Sequence, residues 1–507
     1  MNDLAFISEP TLEFALGQEL EDPRDGLRLF GPLDKAPVHG IRWSVIGTPA
    51  GIVRFKRWVK SLQTPIVPFV EETENLFRPP YPGFEAAYGV PFPENPVSEI
   101  EIDEKRLSCL VRCEDRHQRV YDAVDLFSAQ IVENVQEYET RSDIWFVVVP
   151  DEVHKYCRPE STVEYANRVA SSRQISYKLA RKIANAPSFF EELNQAAKPY
   201  EYEPNFHNQL KARLLAFTIP TQIIRESTIA PNDFLNQFGY PKRKVDNPST
   251  IAWNISNATF YKAGGRPWKL ATVRPGVCYL GLVFKRDDRT GDARNACCAA
   301  QMFLDSGDGV VFRGAVGPWY SPEDRSFHLG YQAARDLVDL AIRTYKKTSV
   351  ANSEPAELFI HGKISLDEEE WAGMSDAAGT STNVVGVKIR KATGLKLYTK
   401  GIYPVLRGVA YVDRPLSANL WTVGFTPRLQ TYLGKESPNP LAVEVCRGKA
   451  DLKTVLSDIM ALTKLNYNAC IFADGQPVTL RFADAVGEIL TAGPLLDKSP
   501  LPFKYYI

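Results

Sequence analysis

The sequence predicts an α/β protein of two large domains, and three observations support this fold class. The chain has 507 residues, which is more than one ordinary hydrophobic core accommodates. Strand-like and helix-like patterns alternate up to about residue 265, which is typical of a parallel sheet covered by helices. After that point three strand candidates follow one another directly, which indicates a second sheet of different topology.

The first half has the pattern of a Rossmann-like domain. A strand is predicted at 41–46, followed by a Gly-Thr-Pro turn and an amphipathic helix from about Gly51. The apolar run at 143–150 ends at a proline and suits a buried parallel strand. Between these strands, an acidic, proline-rich stretch at 77–96 predicts a surface excursion, and residues 76–98 are also a candidate for a partner surface. Further helix-like and strand-like patterns lie at 171–186, 206–217 and 221–227.

The second half has the pattern of an RNase H-like domain. Three strand candidates, VCYLGLVFKRDD, ACCAAQMFLDS and DGVVFRGAV, precede a long helix and the strand ELFIHG, which is the order expected of an RNase H-like layer. A helix at 452–465, an extended segment at 477–484 and a final helix complete the prediction. We therefore assign residues 1–265 to the first domain, with an N-terminal extension and an excursion near 76–140, and residues 266–507 to the second.

Composition excludes several classes of protein. The chain is 44% hydrophobic and 24% charged, and it has no run of about 18 apolar residues, so we expect no membrane span. The eight cysteines form no CxxC pair, which predicts reduced thiols and a cytoplasmic location. A formal net charge of −1 argues against non-specific coating of nucleic acid but is compatible with a localised basic channel.

Four polar residues stand at positions that suit a phosphate pocket. His207 and Lys211 are four residues apart and would share one helix face, Gln222 begins a strand-like run, and Lys262 precedes Gly264–Gly265. A terminal phosphate needs several donors and at least two positive charges at one point. An isolated pair of this spacing is more often a solvated helix face, so each residue alone is a weak signal.

Together with YKAGGRPWKL at 261–270, these four residues resemble the MID domain of Argonaute proteins. The family motif has a tyrosine, a lysine one turn later, a glutamine and a lysine in K-x-G-G, and His207 departs from the tyrosine. A histidine there would make part of the binding depend on pH. LTKLNYN at 462–468 looks like the LT-x-x-NWN stretch of PIWI domains, and the resemblance covers most of residues 140–507.

The resemblance implies a site for the 5′-phosphate of a guide strand. Its residues would be His207, Lys211, Gln222 and Lys262. It also implies a Mg²⁺ ion beside the phosphate, held by the C-terminal carboxylate of Ile507.

The resemblance further implies that the nuclease site is degenerate. The position of the first metal-binding aspartate corresponds to Val283, and that of the third carboxylate to His361, while Asp484 matches the fourth. Cleavage of this kind needs carboxylates that hold two divalent metals, and valine cannot bind a hard cation. We therefore expect no catalytic residues and no enzyme activity in this chain. An active nuclease with a rearranged site of Asp287, Asp288 and Asp484 is the alternative.

A MID domain followed by an inactive PIWI domain resembles the short prokaryotic Argonautes, because the sequence leaves no room for the N and PAZ domains of long ones. In the type it resembles, a guide RNA recognises single-stranded target DNA. A higher oligomer then forms and activates a partner TIR-APAZ protein that degrades NAD⁺, as a defence against plasmids or phage. A Sir2-like or nuclease partner, or a plain α/β interaction module, remains an alternative. Candidates for the nucleic-acid channel, which could equally be a solvated strand edge, are Lys388, Arg390, Lys391, Lys396 and Lys400.

Overall fold

The structure is a computed structural model. It describes residues 3–34, 39–69, 76–137, 141–171, 175–286, 296–304, 307, 309–317, 320–321, 326–348, 352–432, 434–494 and 500–507. No helix within these ranges is both long and apolar enough to span a lipid bilayer.

The strands are β1 (Asp3–Phe6), β2 (Leu12–Glu13), β3 (Glu19–Leu20), β4 (Trp43–Gly47), β5 (Ser98–Glu101), β6 (Ile144–Val149), β7 (Thr221–Arg225), β8 (Lys269–Leu270), β9 (Val277–Arg286), β10 (Ala296–Leu304), β11 (Gly309–Gly317), β12 (Tyr320–Ser321), β13 (Ser326–Phe327), β14 (Glu357–Gly362), β15 (Asn383–Lys391), β16 (Val409–Arg414), β17 (Ser417–Leu420), β18 (Leu441–Arg447) and β19 (Leu501–Pro502). The α-helices are α1 (Pro23–Phe30), α2 (Pro49–Ser61), α3 (Phe84–Tyr88), α4 (Glu104–Val111), α5 (Arg116–Glu137), α6 (Asp151–Tyr156), α7 (Tyr177–Asn185), α8 (Glu191–Ala197), α9 (Phe206–Leu215), α10 (Glu226–Ile229), α11 (Pro248–Lys262), α12 (Tyr331–Thr348), α13 (Glu368–Ala378), α14 (Leu452–Leu462), α15 (Val478–Arg481) and α16 (Ala483–Thr491).

A four-stranded parallel sheet in the order β5-β4-β6-β7 forms the centre of the first half. β4 and β6 are buried along their whole length, as expected of parallel strands that are covered on both faces. The turn into α2 is fixed by Thr48, whose side chain accepts a hydrogen bond from Gly51 N at 3.0 Å, and by Pro49 in the first turn. The strands predicted at 41–46 and 143–150 are thereby confirmed.

A ten-stranded sheet in the order β1-β16-β17-β18-β15-β14-β9-β10-β11-β19 forms the centre of the second half. β9, β10 and β11 are antiparallel neighbours, and β14 lies parallel to both β9 and β15. This is the predicted RNase H-like layer. Side chains alternate along β9, so that Leu280 and Leu282 pack towards α12 and α13, whereas Tyr279 and Val283 belong to the cluster that includes α14 and α16.

The N-terminal segment packs on the second half of the chain, which differs from our assignment of residues 1–265 to a single domain. β1 pairs with β16, and β2 pairs with β8. The Glu9 carboxylate binds Arg407 at 2.8 Å and the buried Lys464 at 2.7 Å. Leu12 and Phe14 are fully buried in a hydrophobic cluster that includes residues of both sheets.

Two local predictions are wrong. The stretch at 77–96 is not a surface excursion, because Tyr81, Phe84, Tyr88 and Phe92 are buried in the main hydrophobic cluster. The hydroxyl of Tyr81 lies 2.8 Å from that of Ser256. Burial of these aromatic residues holds the stretch inside the fold despite its proline and glycine residues. The stretch is therefore a poorer candidate for a partner surface. The segment at 477–484 is helical and not extended. Gly281 allows α15 to lie directly on β9, since a Cβ at this position would be 1.9 Å from Thr479 O.

Candidate nucleic-acid interface

The four residues predicted to hold a phosphate come together in the structure. α9 carries His207 and Lys211, β7 carries Gln222, and α11 ends at Lys262. Both lysine ammonium groups donate to the same carbonyl oxygen, that of Thr221, at 2.9 Å from Lys211 and 3.1 Å from Lys262. Lys262 also donates to Gln222 Oε1 at 2.5 Å. The resemblance to MID domains therefore predicted the convergence of these side chains, and their binding of a phosphate stays a prediction.

The two lysines form a buried pair of like charge. Lys211 is 2% exposed and Lys262 is 1% exposed. Burial lowers the pKa of Lys211 to about 7 and, together with the charge of Lys211, lowers the pKa of Lys262 well below its usual value. Among the residues described, no side-chain carboxylate accepts a hydrogen bond from either ammonium. Lys211 also donates to the main-chain oxygen of Ile507, and a bound anion would supply further negative charge to the pair.

His207 lies at the rim of the lysine pair. Its side chain reaches solvent, and its Nδ1 lies 3.1 Å from Asn208 Oδ1. The surrounding protein desolvates the imidazole and, with the charges of Lys211 and Lys262, lowers its pKa to about 4. The ring is therefore neutral at pH 7 when no anion is bound. It can donate one hydrogen bond or stack against a base without adding a third positive charge.

The turn after Lys262 adds a cation that the sequence reasoning missed. Gly264 has a φ of +105°, a conformation that favours glycine, and a Cβ there would lie 3.8 Å from Lys504 Nζ. Lys504 is half-buried, and its pKa is lowered by desolvation, against the opposing charge of Asp143. The only signal for it in the sequence was a single lysine in the apolar tail FKYYI.

The predicted Mg²⁺ ion at Ile507 fits this set of residues poorly. The main-chain oxygen of Ile507, the last residue of the sequence, accepts a hydrogen bond from Lys211 Nζ at 2.5 Å. Gln222 Oε1 is likewise bound by Lys262. Mg²⁺ prefers oxygen ligands, carboxylates above all. In the structure, ammonium groups donate to both of these oxygens.

Val283 and His361, two of the three positions expected to be degenerate, lie beneath α15 and α16. Val283 is 7% exposed on β9. His361, at the end of β14, is 1% exposed, and its Nδ1 lies 2.9 Å from Thr479 Oγ1. Burial lowers the pKa of His361 to about 3, so the imidazole is neutral and serves as a hydrogen-bonding partner of α15.

Asp484, the third of these positions, is exposed and paired with a lysine. Lys363 Nζ lies 2.7 Å and 2.9 Å from its two carboxylate oxygens. Asp287 and Asp288, the alternative ligands, lie outside the described residues. Within the described part of the chain, the one group of three potential metal ligands is His328, Asp367 and Glu370. That group does not include Val283, His361 or Asp484.

The predicted channel residues divide into two sets. Lys388, Arg390 and Lys391 line one groove of about 520 Å³, together with Arg414 and the acidic residues Asp413 and Glu444. They stand near the C-terminal end of β15, which is parallel to β14 and thus ends at the same edge of the sheet as Lys363. The other two predicted residues do not line this groove. The Nζ of Lys396 donates to Ser437 O at 2.6 Å, and Lys400 is exposed.

Comparisons with known proteins establish the fold. No protein-family model matches the chain, and no curated protein matches it. Among solved structures, Clostridium butyricum Argonaute bound to a guide DNA and a 19-mer target DNA matches 100% of this chain, with a TM-score of 0.65 and 14% identity. Drosophila Piwi matches 99% of it, with a TM-score of 0.60 and 13% identity. A. aeolicus Argonaute matches 98% of it, with a TM-score of 0.55 and 14% identity.

The chain spans little more than half of each of these proteins: 55% of the C. butyricum Argonaute, 56% of Piwi and 54% of the A. aeolicus Argonaute. At such low identity the likeness bears on the fold alone. It agrees with the two sheets described above, one small and parallel, the other large and of mixed direction. The chain therefore has an Argonaute fold, with a Rossmann-like MID part and an RNase H-like PIWI part.

Proposed function

We propose that this chain binds the 5′-phosphate of a guide RNA between α9, β7 and the end of α11. Lys211 and Lys262 supply the positive charge, and Gln222 and His207 supply further polar contacts. The guide then presents its bases to single-stranded target DNA, so that base pairing selects the sequence and the protein contacts only shape and backbone.

One observation carries this proposal. Two fully buried ammonium groups converge on the carbonyl oxygen of Thr221 with no side-chain carboxylate beside them among the described residues. Burial of two ammonium groups without a side-chain carboxylate is costly, so such an arrangement is uncommon where no anionic ligand binds. The fold supports the same reading, because the C. butyricum Argonaute, which it resembles, was solved with a guide and a target.

We further propose that the chain does not cleave its target. The positions of Val283 and His361 offer no carboxylate, and Lys363 already neutralises Asp484. The output would then come from another chain. A TIR-APAZ protein that degrades NAD⁺, activated when target pairing drives a higher oligomer, is the partner that the sequence resemblance implies, and a Sir2-like or nuclease partner is the alternative.

The test is to purify the chain with its genomic neighbour and to sequence the nucleic acids that co-purify. Wild type is compared with a Lys211→Ala, Lys262→Ala double variant, and Lys155→Ala, at an exposed lysine paired with Glu164, serves as the control. We expect short 5′-phosphorylated RNAs on wild type and on the control, and few on the double variant. Equal amounts on all three proteins would contradict the proposed pocket.

A further inference from the structure

Two ion pairs occupy the edge of the large sheet where the resemblance places metal-binding carboxylates. α16 carries Asp484 and Glu488, which are one helical turn apart and therefore share a face. Lys363, directly after β14, binds both oxygens of Asp484 at 2.7 Å and 2.9 Å. Lys285, near the end of β9, lies 3.2 Å from Glu488 Oε1. Each of the two adjacent strands thus supplies a lysine to the same helix.

The strands carry positive charges at this edge, where a metal site would need carboxylates. Lys285 follows Val283 by two residues on β9, and Lys363 follows His361 by two residues at the end of β14. α16 lies directly over this edge, because a Cβ at Gly487 would be 3.3 Å from Lys285 Cβ and 3.9 Å from Val283 Cγ1. Positive groups therefore come from the strands and the carboxylates from the helix.

The geometry points to a metal-independent site for a backbone phosphate of the target strand at Lys363 and Lys285. This inference rests on the proposed function, since it concerns the target that a bound guide would pair with. An ammonium group has three donors, and Lys363 uses two of them on Asp484, which leaves the third for a phosphate oxygen. Asp484 holds the lysine in place but reduces the positive charge that a phosphate would meet.

The surroundings support a site on the path of a nucleic acid. The side chains of Lys363 and Asp484 are 49% and 63% exposed, so a strand can reach them. Exposed ion pairs contribute little to stability, so the lysine is free to adjust its position when a phosphate arrives. Lys388, Arg390 and Lys391 lie at the same edge of the sheet, in a groove that also contains Asp413 and Glu444.

The test measures the dissociation constant of a single-stranded DNA target for the chain loaded with a 5′-phosphorylated guide RNA, in Mg²⁺ and in EDTA, over a range of salt. We expect Lys363→Met to weaken target binding roughly threefold to tenfold and to lower the salt dependence by about one phosphate contact. Asp484→Asn keeps an acceptor for Lys363 and removes the negative charge, so we expect it to strengthen target binding roughly twofold to fivefold. EDTA should change these constants by less than about twofold.

The matched control is the exposed pair of Lys155 and Glu164, at 2.9 Å, where Lys155→Met and Glu164→Gln should leave target binding unchanged. Lys363→Arg, which keeps the charge, should retain most of the affinity and guards against a folding defect. Weaker target binding by Asp484→Asn, or a requirement for Mg²⁺, would show that Asp484 is a metal ligand and overturn the inference. Guide loading is measured first: failure of wild type to load refutes the proposed function, whereas normal loading with unchanged target affinity in Lys363→Met refutes only this inference.

Discussion

Replacing Lys211 by methionine should make the unliganded protein more stable while it abolishes guide binding. Methionine has a similar volume and no charge, so it fills the same buried space between α9 and β7. A structural lysine would show the opposite effect on stability. The substitution therefore distinguishes a lysine that binds a ligand from a lysine that stabilises the fold.

The magnitude follows from the burial of the lysine. Its pKa falls from 10.5 to about 7, which corresponds to a cost of about 5 kcal/mol at about 1.4 kcal/mol for each pKa unit. Removing the ammonium leaves the Ile507 main-chain oxygen without this donor, at a cost of about 1–3 kcal/mol, whereas Thr221 O still accepts from Lys262. The net expectation is a gain of about 2–4 kcal/mol in the free energy of unfolding.

Thermal unfolding at pH 7 without nucleic acid measures this gain, which should raise the Tm by about 2–4 °C. Lys464→Met is the matched control, because Lys464 is equally buried but binds the Glu9 carboxylate at 2.7 Å. Breaking that pair should destabilise the protein by about 3 kcal/mol. If Lys211→Met lowered the Tm as Lys464→Met does, Lys211 would have a structural partner and the reasoning about an anion site would fail.

Three further predictions concern pH and metal. Between pH 7 and 10.5 the unfolded state binds more protons at Lys211 than the folded state, so the free energy of unfolding should rise with pH in wild type and rise less in Lys211→Met; urea denaturation at several pH values measures this. His361 has a folded-state pKa of about 3 against 6.5 when unfolded, so stability should fall as the pH drops below 6.5. His361→Leu should show a shallower fall in acid titrations, although losing the contact with Thr479 should cost about 1–3 kcal/mol at pH 7. EDTA should change the affinity for a 5′-phosphorylated guide by less than about twofold, since Lys211 and Lys262 bind the oxygens that Mg²⁺ would need. A larger loss of affinity would support the predicted Mg²⁺ ion at Ile507.

The sequence predicted the two sheets and the shared helix face of His207 and Lys211 because these features depend on local patterns. Buried parallel strands such as β6 are continuous apolar runs, and an i, i+4 spacing places His207 and Lys211 on one face of α9. Gln222 and Lys262 are distant in the sequence, and only the resemblance to MID domains connected them with α9. The structure places all four together.

Contacts between distant segments were beyond sequence reasoning. Nothing in MNDLAFISEP indicates that β1 adds to an edge of the large sheet or that Glu9 binds Lys464. The proline and glycine residues around Tyr81 predicted a surface segment, whereas tertiary packing buries the aromatic rings. The pairing of Lys363 with Asp484 also depends on how α16 lies on the strands, which no local pattern encodes.

The most direct test of the central claim compares the affinities of one RNA sequence with a 5′-phosphate and with a 5′-hydroxyl, for wild type and for the Lys211→Ala, Lys262→Ala double variant. We expect wild type to bind the 5′-phosphorylated RNA at least about tenfold more tightly, because two buried ammonium groups lose their counter-charge when the phosphate is absent. The double variant should bind both RNAs with the same weak affinity. Equal affinities on wild type would contradict the account, since the lysine pair would then have a purpose other than holding the guide.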